Sequence, residues 1–105
     1  MPDDILTRVR TAAAKRLLFL PHAIRQMARP GRMIVASEVE MVVTIGEVVE
    51  DYPEDVRGHS CLLLGNVEAE RPIHVVCSPK DEYLAIITAY LPDPAQWTAD
   101  FKQRV

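Results

Sequence analysis

The sequence predicts an α+β fold in which two or three N-terminal helices pack on one face of a twisted four-stranded antiparallel sheet. Three observations predict it. Apolar residues recur at helical spacing up to Gly46, near-continuous or alternating apolar runs follow it, and the breaks between those runs are too short for parallel crossovers. All 105 residues form one domain, and a 49% hydrophobic content supplies its core.

Residues 3–16 place Ile5, Leu6, Val9, Ala12 and Ala13 at helical spacing, with Asp3 and Asp4 complementing the helix N-terminus. Lys15 to Leu20 is apolar and β-leaning at Phe19. Pro21 ends it and opens a second helix over His22 to Ala28, which Arg29-Pro30-Gly31 breaks. Ser37 and Glu40 have capping-box spacing, and Val39, Val42 and Val43 give a third helix its apolar stripe up to the stop at Gly46.

Strands are expected only after Gly46: Glu47 to Tyr52, Cys61 to Asn66, Ile73 to Ser78 and Tyr83 to Leu91. Turn signals separate them at Pro53-Glu54-Asp55 with Gly58, at Gly65-Asn66 with Glu70, and at Pro79-Lys80-Asp81. Pro92 to Val105 reads as a tail that carries Trp97 back onto the body.

Charge is unevenly spread. Residues 1–33 hold seven basic residues against two aspartates, a net of +5, leaving −8 for the rest of a chain whose total is −3. Such a dipolar surface steers an anionic ligand such as RNA toward the helical end, although exposed arginines on short helices are also ordinary solvated surface. No apolar run approaches the ~20 residues of a membrane span, and Asp3 and Asp4 stand where a signal peptide would be basic. A soluble, cytoplasmic protein is expected, with Cys61 and Cys77 as reduced core residues.

Two histidines suit acid–base chemistry. His22 follows Pro21 at a helix start, where backbone N–H groups favour an anion and a neutral imidazole. His74 interrupts the apolar run Ile73 to Val76, where a polar ring needs either a partner or an opening onto a site. Arg25 and Arg29 lie three and seven residues after His22, roughly on its helix face, a spacing suited to clamping a phosphate. Arg29 could equally pair with the Glu50-Asp51 stretch. If Pro79 faces Tyr83, then His74 faces Thr88, and Tyr90 lies on the same side; a one-residue slip separates them. His59, Cys61 and Cys77 lack any zinc-site spacing, and the four glycines form no phosphate loop, so no metal and no cofactor is expected.

Read in order, H-A-I-R-Q-M-A-R from His22 to Arg29, Glu38 to Val42, Gly46 to Pro53, Cys61 to Gly65, Pro72 to Val76 and Thr88 to Trp97 resemble the bacterial family domain of unknown function 4258. That family in turn is similar to the RelE and BrnT toxin-like ribonuclease fold. The resemblance implies a metal-independent RNA endonuclease, or a degenerate relative of one. Its catalytic groups would be His22, His74 and Tyr90, and its substrate-binding groups Arg25, Arg29 and Thr88. RNA and a cognate antitoxin-like protein are the partners implied. The alternative is a non-enzymatic protein-binding module that forms an oligomer through an exposed fourth strand or the Trp97 tail; the sequence leaves the oligomeric state open.

Overall fold

A computed structural model describes residues 4–105; the part of the first-helix expectation that falls on Asp3 lies outside them. Helix α1 (Ile5–Lys15) starts at Asp4, whose carboxylate accepts a hydrogen bond from the Thr7 N–H at 2.7 Å and satisfies one of the orphan donors of the first turn. Its apolar stripe buries Ile5, Val9 and Ala12. A three-residue strand β1 (Leu17–Phe19) follows, then α2 (Pro21–Met27) with Pro21 in the first turn, and α3 (Ala36–Ile45).

The start of α3 differs from expectation. Val35 rather than Ser37 precedes the first turn, and the Glu38 carboxylate reaches back to accept from the Val35 N–H at 3.0 Å, while Ser37 lies inside the helix. With α3 beginning one residue before Ser37, the reciprocal glutamate is Glu38, and Glu40 falls in the second turn.

The four expected strands are β2 (Glu47–Tyr52), β3 (Ser60–Val67), β4 (Arg71–Pro79) and β5 (Leu84–Tyr90), and consecutive members pair antiparallel. The sheet nevertheless has five strands and is mixed, in the order β1-β5-β4-β3-β2. Leu17, Leu18 and Phe19 pair parallel to Leu84, Ala85 and Ile86, flanked by Leu84 N–H to Arg16 O at 2.8 Å and Leu20 N–H to Ile86 O at 3.0 Å. This overturns both the all-antiparallel sheet and the absence of strand before Gly46. Three residues are too few to show a period, and what makes them a strand is a partner nearly seventy residues later. The β3–β4 turn is also displaced: Gly65 and Asn66 stay in β3, and a single 3-10 turn at Glu68–Glu70 reverses the chain, with Ala69 and Glu70 at φ 63° and 57°.

Alternation divides the sheet residues into two faces. The first carries Cys61, Leu63, Ile73, Val75, Cys77, Leu84 and Ile86, all fully buried in one core with Val9, Ala23, Met27, Val39 and Val42 of the helices. Cys61 sits directly opposite Cys77, both as free thiols; the Cys61 thiol beside it, together with burial, pushes Cys77 well up. The second face carries Leu62, Leu64, His74, Thr88 and Tyr90, and the chain after Tyr90 folds over it, burying Trp97. That segment holds its own shape through Thr98 N–H to Gln103 O (2.8 Å) and Val105 N–H to Gln96 O (2.9 Å).

Two glycines let α3 sit close to β3. A Cβ on Gly65 would stand 3.0 Å from Val42 Cα, and one on Gly46 would stand 2.4 Å from Val42 O and 2.8 Å from Leu64 O. Because both obstacles at Gly46 are backbone, no side-chain rotation relieves them. Gly46→Ala is therefore expected to destabilise the domain by about 1–3 kcal/mol and lower the melting temperature by several degrees in a circular dichroism melt. An unchanged melt would mean that α3 and β3 are not held this close.

Candidate functional site

His74 lies at the centre of the second face and has no exposed surface. Its register is set by a bulge. Pro79 opposes Leu84, one residue later than expected, which would have turned His74 away from Tyr90; Ile87 is then left unpaired and restores the phase, so that His74 opposes Tyr90 and Val76 opposes Thr88. His74, Thr88 and Tyr90 thus share a face, with His74 opposite Tyr90 rather than Thr88.

Both imidazole nitrogens are engaged. Nε2–H donates to the Phe101 carbonyl at 2.9 Å, and Nδ1 accepts from the Tyr90 hydroxyl at 3.2 Å. The Trp97 and Tyr90 rings meet the imidazole edge-on, with centroids at 4.6 and 5.3 Å. Burial pushes the His74 pKa down and the Tyr90 pKa up, so the pair is held as a neutral ring and a protonated phenol. A ring in this state has neither a free lone pair nor a free N–H to offer a substrate.

Around this ring stands a polar clamp. Arg104 holds Glu50 with both carboxylate oxygens, at 2.9 and 3.1 Å, and its guanidinium lies 4.7 Å from the Trp97 ring centroid. The Tyr52 hydroxyl also donates to Glu50. Arg104 and the Tyr52 hydroxyl keep the Glu50 carboxyl ionised below its usual range, while burial and Glu50 push the Tyr52 phenol up to about 12. Lys102 reaches Glu47 at 3.0 Å, a second tie between the C-terminal segment and β2. Five sequence landmarks, Glu50, Tyr52, His74, Tyr90 and Trp97, therefore meet in one cluster.

The other candidates are elsewhere. His22 and Arg25 are exposed on α2, whose Ala23 and Met27 belong to the core of the first face, and Arg29 is exposed on the turn that follows it. No hydrogen bond or ring contact joins them to His74, Thr88 or Tyr90. Among the described residues the Arg29 side chain donates to Gln26, at 3.3 Å, and not to the Glu50-Asp51 stretch, where Glu50 pairs with Arg104 and Asp51 with His59. Trp97 is no free tail and β5 no edge: the first is buried and the second lies between β1 and β4.

Sequence reasoning missed Arg104, which comes from 54 residues beyond Glu50 and leaves no local signal. It also missed a chain through His59, whose Nδ1 accepts from Arg8 at 2.8 Å and whose Nε2–H donates to Asp51 at 2.5 Å. His59 therefore turns its ring away from any site with the two cysteines. Among the described residues no group of three His, Cys, Asp or Glu side chains is placed to hold a metal ion, and no helix is long and apolar enough to cross a membrane.

Fold and cluster together define a small helix-on-sheet domain whose polar landmarks are spent on one another. The model of the family described as "Domain of unknown function (DUF4258)" matches residues 19–91, and the chain belongs to that family. No curated protein and no solved structure matches the chain. The matched span runs from Phe19 to Leu91, so it holds Glu50, Tyr52, His74 and Tyr90 but not Trp97, Phe101 or Arg104, which cover them.

The buried imidazole has a pH signature. The folded state requires it neutral, so below its ordinary value of 6.5 the unfolded chain binds more protons and stability falls. The contribution is fully present above that value and is lost as pH drops through it. His74→Phe is expected to cost about 1–3 kcal/mol at neutral pH by orphaning the Phe101 carbonyl and the Tyr90 hydroxyl. It should also shrink the fall in melting temperature between roughly pH 7.5 and 5.5. Parallel melts of both proteins at these two pH values check it, and equal falls would place His74 in contact with water.

Proposed function

We propose that this chain is a non-catalytic, protein-binding member of its family. The observation that carries this reading is the full burial of His74 between two private partners, Tyr90 and Phe101. General acid–base catalysis needs a group within hydrogen-bond reach of the proton it moves, and a ring with both nitrogens committed fails that condition. The separation of the α2 arginines from this cluster adds support, since a phosphate clamp has to share its substrate with the acid and base. A cytoplasmic setting fits the two unbridged thiols. Incubation of the protein with a mixed RNA ladder, with and without chelator, is expected to leave the ladder intact. Cleavage by the purified protein that disappears in His74→Gln would falsify the reading.

A second reading, a RelE-like toxin ribonuclease, draws on one specific observation: the groups under the C-terminal segment lie inside the matched family span and their cover lies outside it. With the cover lifted, His74 would serve as base toward a ribose 2′-hydroxyl and Tyr90 as acid, whereas His22 stays on the helix-covered side. Thr88 would face the phosphate, and Arg25 and Arg29 would have to hold it from outside this face. Trp97→Ala combined with Arg104→Ala loosens that cover. Cleavage of the same ladder by this variant, but not by the parent chain, would put the second reading first.

A further inference from the structure

Beside α2 the surface changes character. A shallow groove of about 360 Å³ runs between Phe19 of β1, Ile24 and Met27 of α2, and Ala28, Met33 and Ile34 of the chain after it, and its walls are almost wholly apolar. Ile24 and Met33 are 55% and 64% exposed, and with the other groove walls they form one contiguous apolar patch rather than scattered residues. Arg25 and Arg29 follow Ile24 and Ala28 directly in the chain, and Arg32 precedes Met33.

Arg25 and Arg29 are exposed and Arg32 is half-buried, and none of the three has a carboxylate within ion-pair distance among the described residues. The one acid brought to this loop, Glu38, is already held by Arg71 at 2.6 Å, and Arg71 in turn donates to the carbonyls of Arg32 and Met33. The rim is thus an uncompensated positive stripe in a chain whose remainder is acidic. Self-association through this groove would have to recruit the acidic sheet end, where Glu47, Glu50 and Asp51 are already paired.

We propose that this groove docks an acidic amphipathic helix of a partner protein, which deepens the protein-binding reading above and rests on it. Helix α2 ends at Met27, so Ala28 and Arg29 lie on the turn after it, and each of the exposed apolar wall residues Ile24 and Ala28 is followed directly by an exposed arginine, Arg25 and Arg29. A partner helix matches both when it carries apolar side chains one turn apart and carboxylates one turn apart beside them. The apolar side chains fill the groove, and the carboxylates meet the guanidinium groups. RNA fits less well, because the apolar walls between Phe19 and Ile34 offer a phosphate backbone nothing to bind.

The probe is a synthetic, fluorophore-labelled helical peptide with Leu and Glu at these paired spacings, titrated with the full chain by fluorescence anisotropy. A peptide with Lys replacing Glu and a single-stranded RNA of equal charge are run beside it. The acidic peptide is expected to bind, the basic one not. Ile24→Asp and, separately, Arg25→Glu with Arg29→Glu should each weaken binding by at least about tenfold while leaving the melting temperature within a few degrees, since all three positions are exposed. Absence of binding by the acidic peptide overturns the proposal, as does binding that survives Ile24→Asp. So does RNA binding as tight as the peptide's, which would make the stripe an anion patch. Failure here with an uncut RNA ladder leaves the non-catalytic reading standing, whereas a cut ladder removes that reading whatever the peptide does.

Discussion

An imidazole with no water to turn to must find two partners in the protein, and much of this fold is arranged to supply them at His74. One comes from the adjacent strand, where the unpaired Ile87 adjusts the phase of β5 so that the Tyr90 hydroxyl arrives on the right face. The other comes from the backbone of a segment that has to cross the sheet to deliver it, with Phe101 in the left-handed region at φ 61°. Left-handed backbone at a bulky residue costs energy, and the hydrogen bond at Nε2 together with the Trp97 contact offsets it. Once that segment lies across the face, Arg104 reaches Glu50 and Lys102 reaches Glu47, so the C-terminus is tied to β2 on the far side of the sheet. These surface pairs add little energy individually; their effect is to fix where the segment lies.

The same dependence explains why β3 is buried almost along its whole length. Helices cover one of its faces and the C-terminal segment the other, so Ser60 to Gly65 is buried without a break and Cys61 to Gly65 reads as a continuous apolar run rather than an alternation, the pattern of a strand enclosed on both sides. β2, by contrast, has one free edge, a bulge at Val49 and three acidic residues, features that discourage edge-to-edge pairing.

The helices were legible because Val9, Ala12, Val39, Val42 and Val43 repeat at the helical period and Pro21, Gly31 and Gly46 punctuate them. The four antiparallel strands were legible because turn residues separate sustained apolar runs. β1 was not, since its stability is a property of Leu84 to Ile86 rather than of its own three residues. The site divided in the same way. Local pattern picked out His74, Tyr90, Glu50 and Trp97 as polar or aromatic residues in apolar surroundings, and they do meet. What joined His22, Arg25 and Arg29 to them on paper was a resemblance, and nothing in α2's own packing, through Ala23 and Met27, brings them together. Arg104, which locks the cluster, sits near the chain end among charged residues that look like ordinary solvated tail.

The two thiols on the helix-covered face give the molecule an internal clock for its own opening. Cys61 and Cys77 face each other across β3 and β4 with no exposed surface, and only the thiolate reacts. With both sulfurs fully buried and Cys77 held protonated, neither meets a reagent while the helical layer stays on the sheet. The rate at which a thiol dye is taken up therefore counts separations of the two layers, without any label being introduced. Both thiols lie on the helix-covered face, so they report on that face and not on the C-terminal cover of the other.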